Sequence, residues 1–130
     1  MPKNPEPERP LTGIRVLLVE DHDDSREILQ ALLQYRGASV TAAASAKEGL
    51  AQLGATDVVL TDIRMPGEDG YWLLREVQQS ARPVPVIAVS AYSDLEAPAL
   101  AGAAFARVLR KPVNDGTLCR EILAVAASPR

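Results

Sequence analysis

Ile14-Arg15-Val16-Leu17-Leu18-Val19 runs straight into Glu20-Asp21-His22-Asp23-Asp24, and this junction decides the fold. A run rich in leucine and β-branched residues, with no regular polar alternation, describes a strand buried on both faces, as parallel sheets require. The acidic block stops that strand, β1, and opens a helix, α1. Asp24 stands as the N-cap, with Glu27 three residues on as its reciprocal partner. Ile28, Leu29, Leu32 and Leu33 share one face of α1, and Gly37 closes it.

The same alternation continues outward. Ala38 to Ala43 is a second strand, β2. Ser45-Ala46-Lys47-Glu48 is a capping box, and Ala46, Gly49, Leu50 and Leu53 follow at helical spacing in α2, which Gly54 ends. Asp57 to Thr61 forms β3 and stops at Asp62; a loop from Ile63 to Asp69 precedes α3, which starts near Gly70 with Leu73, Leu74 and Val77 inward. Val84 to Val89 forms β4 and ends at Ser90, with Pro85 near its start, where a missing N–H is tolerated. Asp94 caps a short α4 reaching about Gly102, with Pro98 near its first turn. Arg107 to Arg110 is β5, followed by Lys111-Pro112. Asn114 or Asp115 then caps α5, which carries Leu118, Ile122, Leu123 and Val125.

Five βα units imply an α/β fold, a doubly wound parallel sheet with helices on both faces. Right-handed crossovers bring every strand C-terminus to one edge, and ligands of such sheets bind just beyond that edge. The flanks read differently. Residues 1–12 alternate Pro2, Pro5, Pro7 and Pro10 with charges and are expected to be a flexible Pro-rich tail or linker; residues 13–127 form the domain, and 128–130 a short C-terminal tail.

Composition narrows the function. The 130 residues suffice for one domain with its own core, and a hydrophobic content of 47% is that of a folded chain. Fourteen Lys+Arg against seventeen Asp+Glu give a net charge of −3, with no basic cluster to attract nucleic acid or an anionic membrane. The single Cys119 excludes an internal disulfide and reads as structural. No apolar run approaches the roughly 20 residues of a membrane helix, and Met1 to Pro10 lacks the apolar stretch of a signal peptide, so a cytoplasmic location is expected.

The residues after the strands carry the chemistry. Glu20 and Asp21 follow β1, Asp62 follows β3, Ser90 ends β4 and Lys111 follows β5. One acid after a strand is most often a turn or cap residue; this whole set at one sheet edge is not explained that way. Three neighbouring carboxylates repel, and a hard divalent cation such as Mg2+ relieves the repulsion through oxygen ligands. One carboxylate can act as nucleophile at phosphorus, with Lys111 and Ser90 aiding the phosphoryl oxygens.

At these residues the chain resembles the receiver domain of two-component response regulators, of the chemotaxis-regulator type. The matching motifs are Val16-Leu17-Leu18-Val19-Glu20-Asp21, Asp62-Ile63-Arg64-Met65-Pro66 with Asp69-Gly70, Val86-Ile87-Ala88-Val89-Ser90-Ala91, and Lys111-Pro112, spread over about residues 14–127. The resemblance implies a flavodoxin-like (βα)5 sheet of strand order 2-1-3-4-5. It implies Asp62 as phosphoacceptor, and Mg2+ (or Mn2+) held by Asp21, Asp62 and the Arg64 backbone carbonyl, with Glu20 acting through water. Ser90 and Lys111 match the hydroxyl and lysine that hold the phosphoryl group. It further implies a histidine kinase or histidine phosphotransfer protein as donor, and a downstream protein, or a second copy in a homodimer, at the α4–β5–α5 face. Ser90-Ala91-Tyr92 and Lys111-Pro112-Val113 resemble receivers attached to hybrid sensor kinases.

Departures from the family pattern concern the output. An aromatic residue or histidine commonly stands three positions before the lysine; here that position is Val108, with Phe105 three residues earlier, and Ala104 replaces a common glycine. Arg64 and Tyr92, two residues after Asp62 and Ser90, match positions that tune phosphoryl loss, and their bulk implies slow autodephosphorylation. His22 reads as a loop residue beside carboxylates, since Mg2+ prefers oxygen, and Trp72 as a packing residue. Two rival readings stand beside it. An aspartate-dependent phosphatase needs a second acid two residues after the nucleophile, where this chain has Arg64. A pseudo-receiver, a binding module that is never phosphorylated, draws support only from Val108.

Overall fold

The computed structural model describes residues 9–91 and 104–126. β1 (Arg15–Val19), β2 (Ser39–Ala43), β3 (Val58–Thr61), β4 (Val86–Ser90) and β5 (Arg107–Arg110) form one parallel sheet in the order β2-β1-β3-β4-β5. The described helices are α1 (Asp23–Tyr35), α2 (Ala46–Ala51), α3 (Gly70–Gln78) and α5 (Asp115–Ala126). The stretch expected to form α4, with Asp94 and Pro98, lies outside the described residues, as does Tyr92.

Strand residues sort by parity onto two cores, because side chains alternate across a strand. Val16, Leu18, Val58, Leu60, Ile87 and Val89 face Leu33 of α1 and Leu118, Ile122 and Val125 of α5. Leu17, Val19, Val59 and Val86 face Ala46 of α2 and Leu73, Leu74 and Val77 of α3. β1, β3 and β4 are buried almost end to end, whereas β5, at the sheet edge, is mostly exposed. Each fully buried leucine or valine here contributes roughly 1.5–3 kcal/mol.

Local chemistry sets the helix ends, with corrections to the sequence reading. α1 starts earlier than expected: His22 is its N-cap, Asp23 and Asp24 both lie in the first turn, and no Asp24–Glu27 box forms. Both acids face the positive end of the helix dipole there, and Asp23 also pairs with Arg26 at 2.6 Å. Ile28 is not on the inner face; it is 67% exposed, while Leu29, Leu32 and Leu33 pack inward. In α2 the Ser45 hydroxyl accepts from the Glu48 N–H, and the Glu48 carboxylate reaches back to the Ala44 N–H, one residue before the usual position. Asp69 caps α3 through the Trp72 N–H, and Asn114 accepts from Thr117 N–H at the start of α5. Trp72 is half-buried against the second core.

The domain boundary also moves. Leu11, expected in the flexible tail, is fully buried in the first core. Its N–H donates to the Arg36 carbonyl at 2.9 Å, and Ile14 N–H returns to the Leu11 carbonyl. Gly37, at φ +104°, allows this turn: a Cβ there would stand 2.7 Å from Thr12 Oγ1. One apolar residue among prolines and charges was enough to anchor the segment under the end of α1.

Candidate functional site

The sheet carries the acidic, hydroxyl and basic residues to one edge by extending its ladder one residue beyond the strands. Glu20 N–H donates to the Ala43 carbonyl, Asp62 N–H to the Val19 carbonyl, and Lys111 N–H to the Ser90 carbonyl, all at 2.9–3.1 Å. Glu20, Asp62 and Ser90 are buried, at 1%, 7% and 0% exposure. Lys111 and Asp21 are partly open to solvent.

Lys111 Nζ donates to Glu20 Oε1 at 2.8 Å and to Asp62 Oδ2 at 3.3 Å. Asp62 Oδ1 accepts from the Ile63 N–H at 2.7 Å and from the Ser90 hydroxyl at 3.3 Å. Burial pushes the Asp62 carboxyl above its ordinary range; the Lys111 charge opposes that rise and the Glu20 charge adds to it. Burial works against the Lys111 ammonium, yet the hydrogen bond to Glu20 and the charges of Asp62 and Glu20 outweigh it and hold the amine above its usual value.

One ligand atom each from Glu20, Asp21, His22 and Asp62 lies within 4.8 Å of all the others. The Asp21 Oδ1 atom is buried and accepts no hydrogen bond. An orphaned carboxylate oxygen beside two more carboxylates is a donor set suited to a hard divalent cation, so the residues present fit Mg2+.

Of the residues singled out in the sequence, Glu20, Asp21, Asp62, Ser90 and Lys111 are thus neighbours. Arg64 is exposed in the loop after Asp62. Val108 is 38% exposed on β5, in register with Ala88. Phe105 does not take its place: it packs on Tyr71 of α3, ring centroids 5.8 Å apart.

Two contributors escaped the sequence reading. Gly70 backs the site: a Cβ on it would stand 2.5 Å from the Asp62 carbonyl oxygen and 2.9 Å from Ile63 Cα. Its N–H also donates to the Ile63 carbonyl at 2.8 Å. The Asp69-Gly70 pair was visible as a motif, but its steric role depends on how closely α3 approaches the loop. Arg26 is the second, its guanidinium donating to the Glu20 carbonyl at 3.0 Å and tying α1 to the acidic turn.

Comparison with known proteins follows the same outline. The response regulator receiver domain family matches residues 16–123. The chain is 40% identical over 84 residues to the DNA-binding transcriptional regulator NtrC of Salmonella typhimurium, a match covering 63% of this chain and 18% of that protein. It is 42% identical over 74 residues to the virulence sensor protein BvgS of Bordetella bronchiseptica, covering 55% of this chain and 6% of that one. The chain thus spans less than a fifth of either relative. Among solved structures, the receiver domain of a sensor histidine kinase from Pseudomonas aeruginosa, with a magnesium ion in its active-site cleft, superposes with a TM-score of 0.81 at 28% identity. That match covers 90% of this chain and all of the other.

Proposed function

This chain belongs to the response regulator receiver domain family of two-component signalling, and on that premise we propose that Asp62 is its phosphoacceptor. The observation that carries the reading is the placement of Asp62. It is a buried carboxylate with Lys111 on one oxygen and Ser90 and the Ile63 N–H on the other.

The donor is a phosphohistidine of a histidine kinase or phosphotransfer protein. An Asp62 carboxylate oxygen attacks phosphorus, an O–P bond forms, and the P–N bond breaks with its electron pair returning to the imidazole. Lys111 and Ser90 then hold phosphoryl oxygens, as fixed donors do for developing charge. Asp21, Asp62 and the Arg64 carbonyl would hold Mg2+ (or Mn2+), with Glu20 through water, and a cation there would supply charge neutralisation for the phosphoryl group. Arg64 and Tyr92 stand at sequence positions that in the family tune phosphoryl loss, and their bulk slows autodephosphorylation. A small-molecule phosphodonor such as acetyl phosphate serves in place of the kinase.

Beside Lys111 a groove of about 470 Å³ is lined by Ser25, Ile28, Leu29, Val89, Pro112 and Val113. Its apolar wall, with Ile28 exposed on it, suits a helix of the phosphodonor protein. The reader of the phosphorylated state, a downstream protein or a second copy, docks on the α4–β5–α5 face through Val108. Among the described residues no helix is long and apolar enough to cross a membrane; the cytoplasmic location we assign rests on membership of the receiver domain family.

Borohydride reduction of the phosphorylated protein, followed by peptide mapping, tests the assignment. Homoserine at position 62 supports it; homoserine at position 21, or 2-amino-5-hydroxypentanoic acid at position 20, overturns it.

A further inference from the structure

We propose that His22 is a nitrogen ligand of the cation site, so that the site takes a borderline first-row divalent cation, such as Ni2+, through a mixed nitrogen–oxygen set. This rests on the reading of the acidic cluster as a cation site. It goes beyond that reading by assigning the cluster a second metal class.

The geometry supports ligation. His22 Nδ1 lies 3.3 Å from Glu20 Oε2 and 3.6 Å from Asp21 Oδ1. Adjacent ligands on an octahedral ion with bonds of about 2.1 Å stand about 3 Å apart. The imidazole is therefore near the spacing of a neighbouring ligand, and all four donor atoms fit within 4.8 Å of one another. Asp21 Oδ1, the oxygen facing the ring, accepts no hydrogen bond.

The imidazole's one hydrogen bond, from Nδ1 to Glu20 Oε2 at 3.3 Å, doubles a contact that the backbone already supplies. His22 is the N-cap of α1, yet its side chain makes no capping bond. Glu20 Oε2 already accepts the His22 backbone N–H at 3.1 Å, a bond any non-proline residue at this position supplies. Glu20 Oε1 is held by Lys111. The ring is 73% exposed, so it is not core packing either. Imidazole discriminates between metals: it suits nickel, cobalt and zinc, whereas Mg2+ keeps to oxygen.

Calorimetric titration of untagged protein with NiCl2 and with MgCl2 tests this, on wild type, His22→Gln and Asp62→Asn. His22 is the chain's only histidine, so an imidazole contribution has one source. Tighter binding of Ni2+ than of Mg2+ proves nothing, since most sites show it; the mutant difference decides. The expected result is that His22→Gln weakens Ni2+ binding at least about tenfold, since losing even an outer partner of a ligand costs 10–100-fold, while Mg2+ binding is unchanged. Equal Ni2+ affinity in wild type and His22→Gln overturns the proposal. The receiver reading survives that outcome if Asp62→Asn weakens Mg2+ binding. Absence of any divalent cation binding to wild type overturns both. His22→Gln alters an exposed ring, and an unchanged denaturation midpoint verifies that its fold is intact.

Discussion

Lys111 Nζ stands 3.3 Å from Asp62 Oδ2, an ion pair drawn across 49 residues of chain from the end of β5 to the end of β3. The same ammonium holds Glu20 at 2.8 Å. Lys111 thus keeps two buried carboxylates compatible, and the same charge is aimed where a phosphoryl group on Asp62 would sit. Lys111→Ala is expected to slow phosphorylation by acetyl phosphate by about 10²–10³-fold, the cost of removing one preorganised donor. A time course of intact mass at saturating Mg2+ measures it; an unchanged rate removes Lys111 from the chemistry.

Gly70 is the steric backstop of Asp62. Gly70→Ala places a methyl 2.5 Å from the Asp62 carbonyl oxygen, so α3 or the loop must shift. The expected cost is about 1–3 kcal/mol of stability, as for other overpacked sites, together with loss of phosphorylation. Urea denaturation and mass analysis check both. Full stability and full labelling would show that the helix moves away freely.

Ile28 separates the two phosphodonors. Its exposed side chain lines the groove next to Lys111 but is no part of the reacting cluster. Ile28→Asp is expected to weaken transfer from the cognate phosphohistidine protein about tenfold, the loss of one good interface anchor. Transfer from acetyl phosphate should be unchanged. Equal effects on both donors would place Ile28 in the chemistry or the fold instead of the docking surface.

Arg36 and Asp115 join α1 to α5, with Arg36 Nη2 2.6 Å and Nε 2.9 Å from Asp115 Oδ2. Hydrogen bonding from Arg36 holds the Asp115 carboxyl below its ordinary value of 3.8. A carboxyl depressed in the folded state contributes stability that is complete above 3.8 and is lost as pH falls through its lower folded value. Asp115→Asn removes that dependence. The difference in urea midpoint between wild type and Asp115→Asn should be greatest at neutral pH and vanish in strong acid. Its size should be under about 1 kcal/mol, because the pair is partly solvated. A difference that grows on acidification contradicts this.

The strands were legible because both-face burial leaves continuous apolar runs, and their order followed from the family resemblance carried by Glu20-Asp21, Asp62, Ser90 and Lys111. Those five residues were legible as neighbours because topology alone brings strand ends together. Contacts that depend on distances between elements were not. Leu11 looks like a tail residue among prolines, and only the backbone bond to the Arg36 carbonyl and the turn beside Gly37 reveal that it packs on the first core. Gly70 looks like a helix start until the Asp62 carbonyl is found against it. Ile28 fits the helical period with Leu29 and Leu32, yet it falls at the edge of the buried stripe and turns outward. The Asp24–Glu27 box did not form because α1 begins two residues earlier, at His22, an N-cap whose side chain makes no capping bond.

Intact mass after incubation with acetyl phosphate, with and without Mg2+, on wild type and Asp62→Asn tests the central claim most directly. The account predicts one added phosphoryl group on wild type, dependent on Mg2+, and none on Asp62→Asn. Labelling of Asp62→Asn equal to that of wild type, or labelling indifferent to Mg2+, would contradict it.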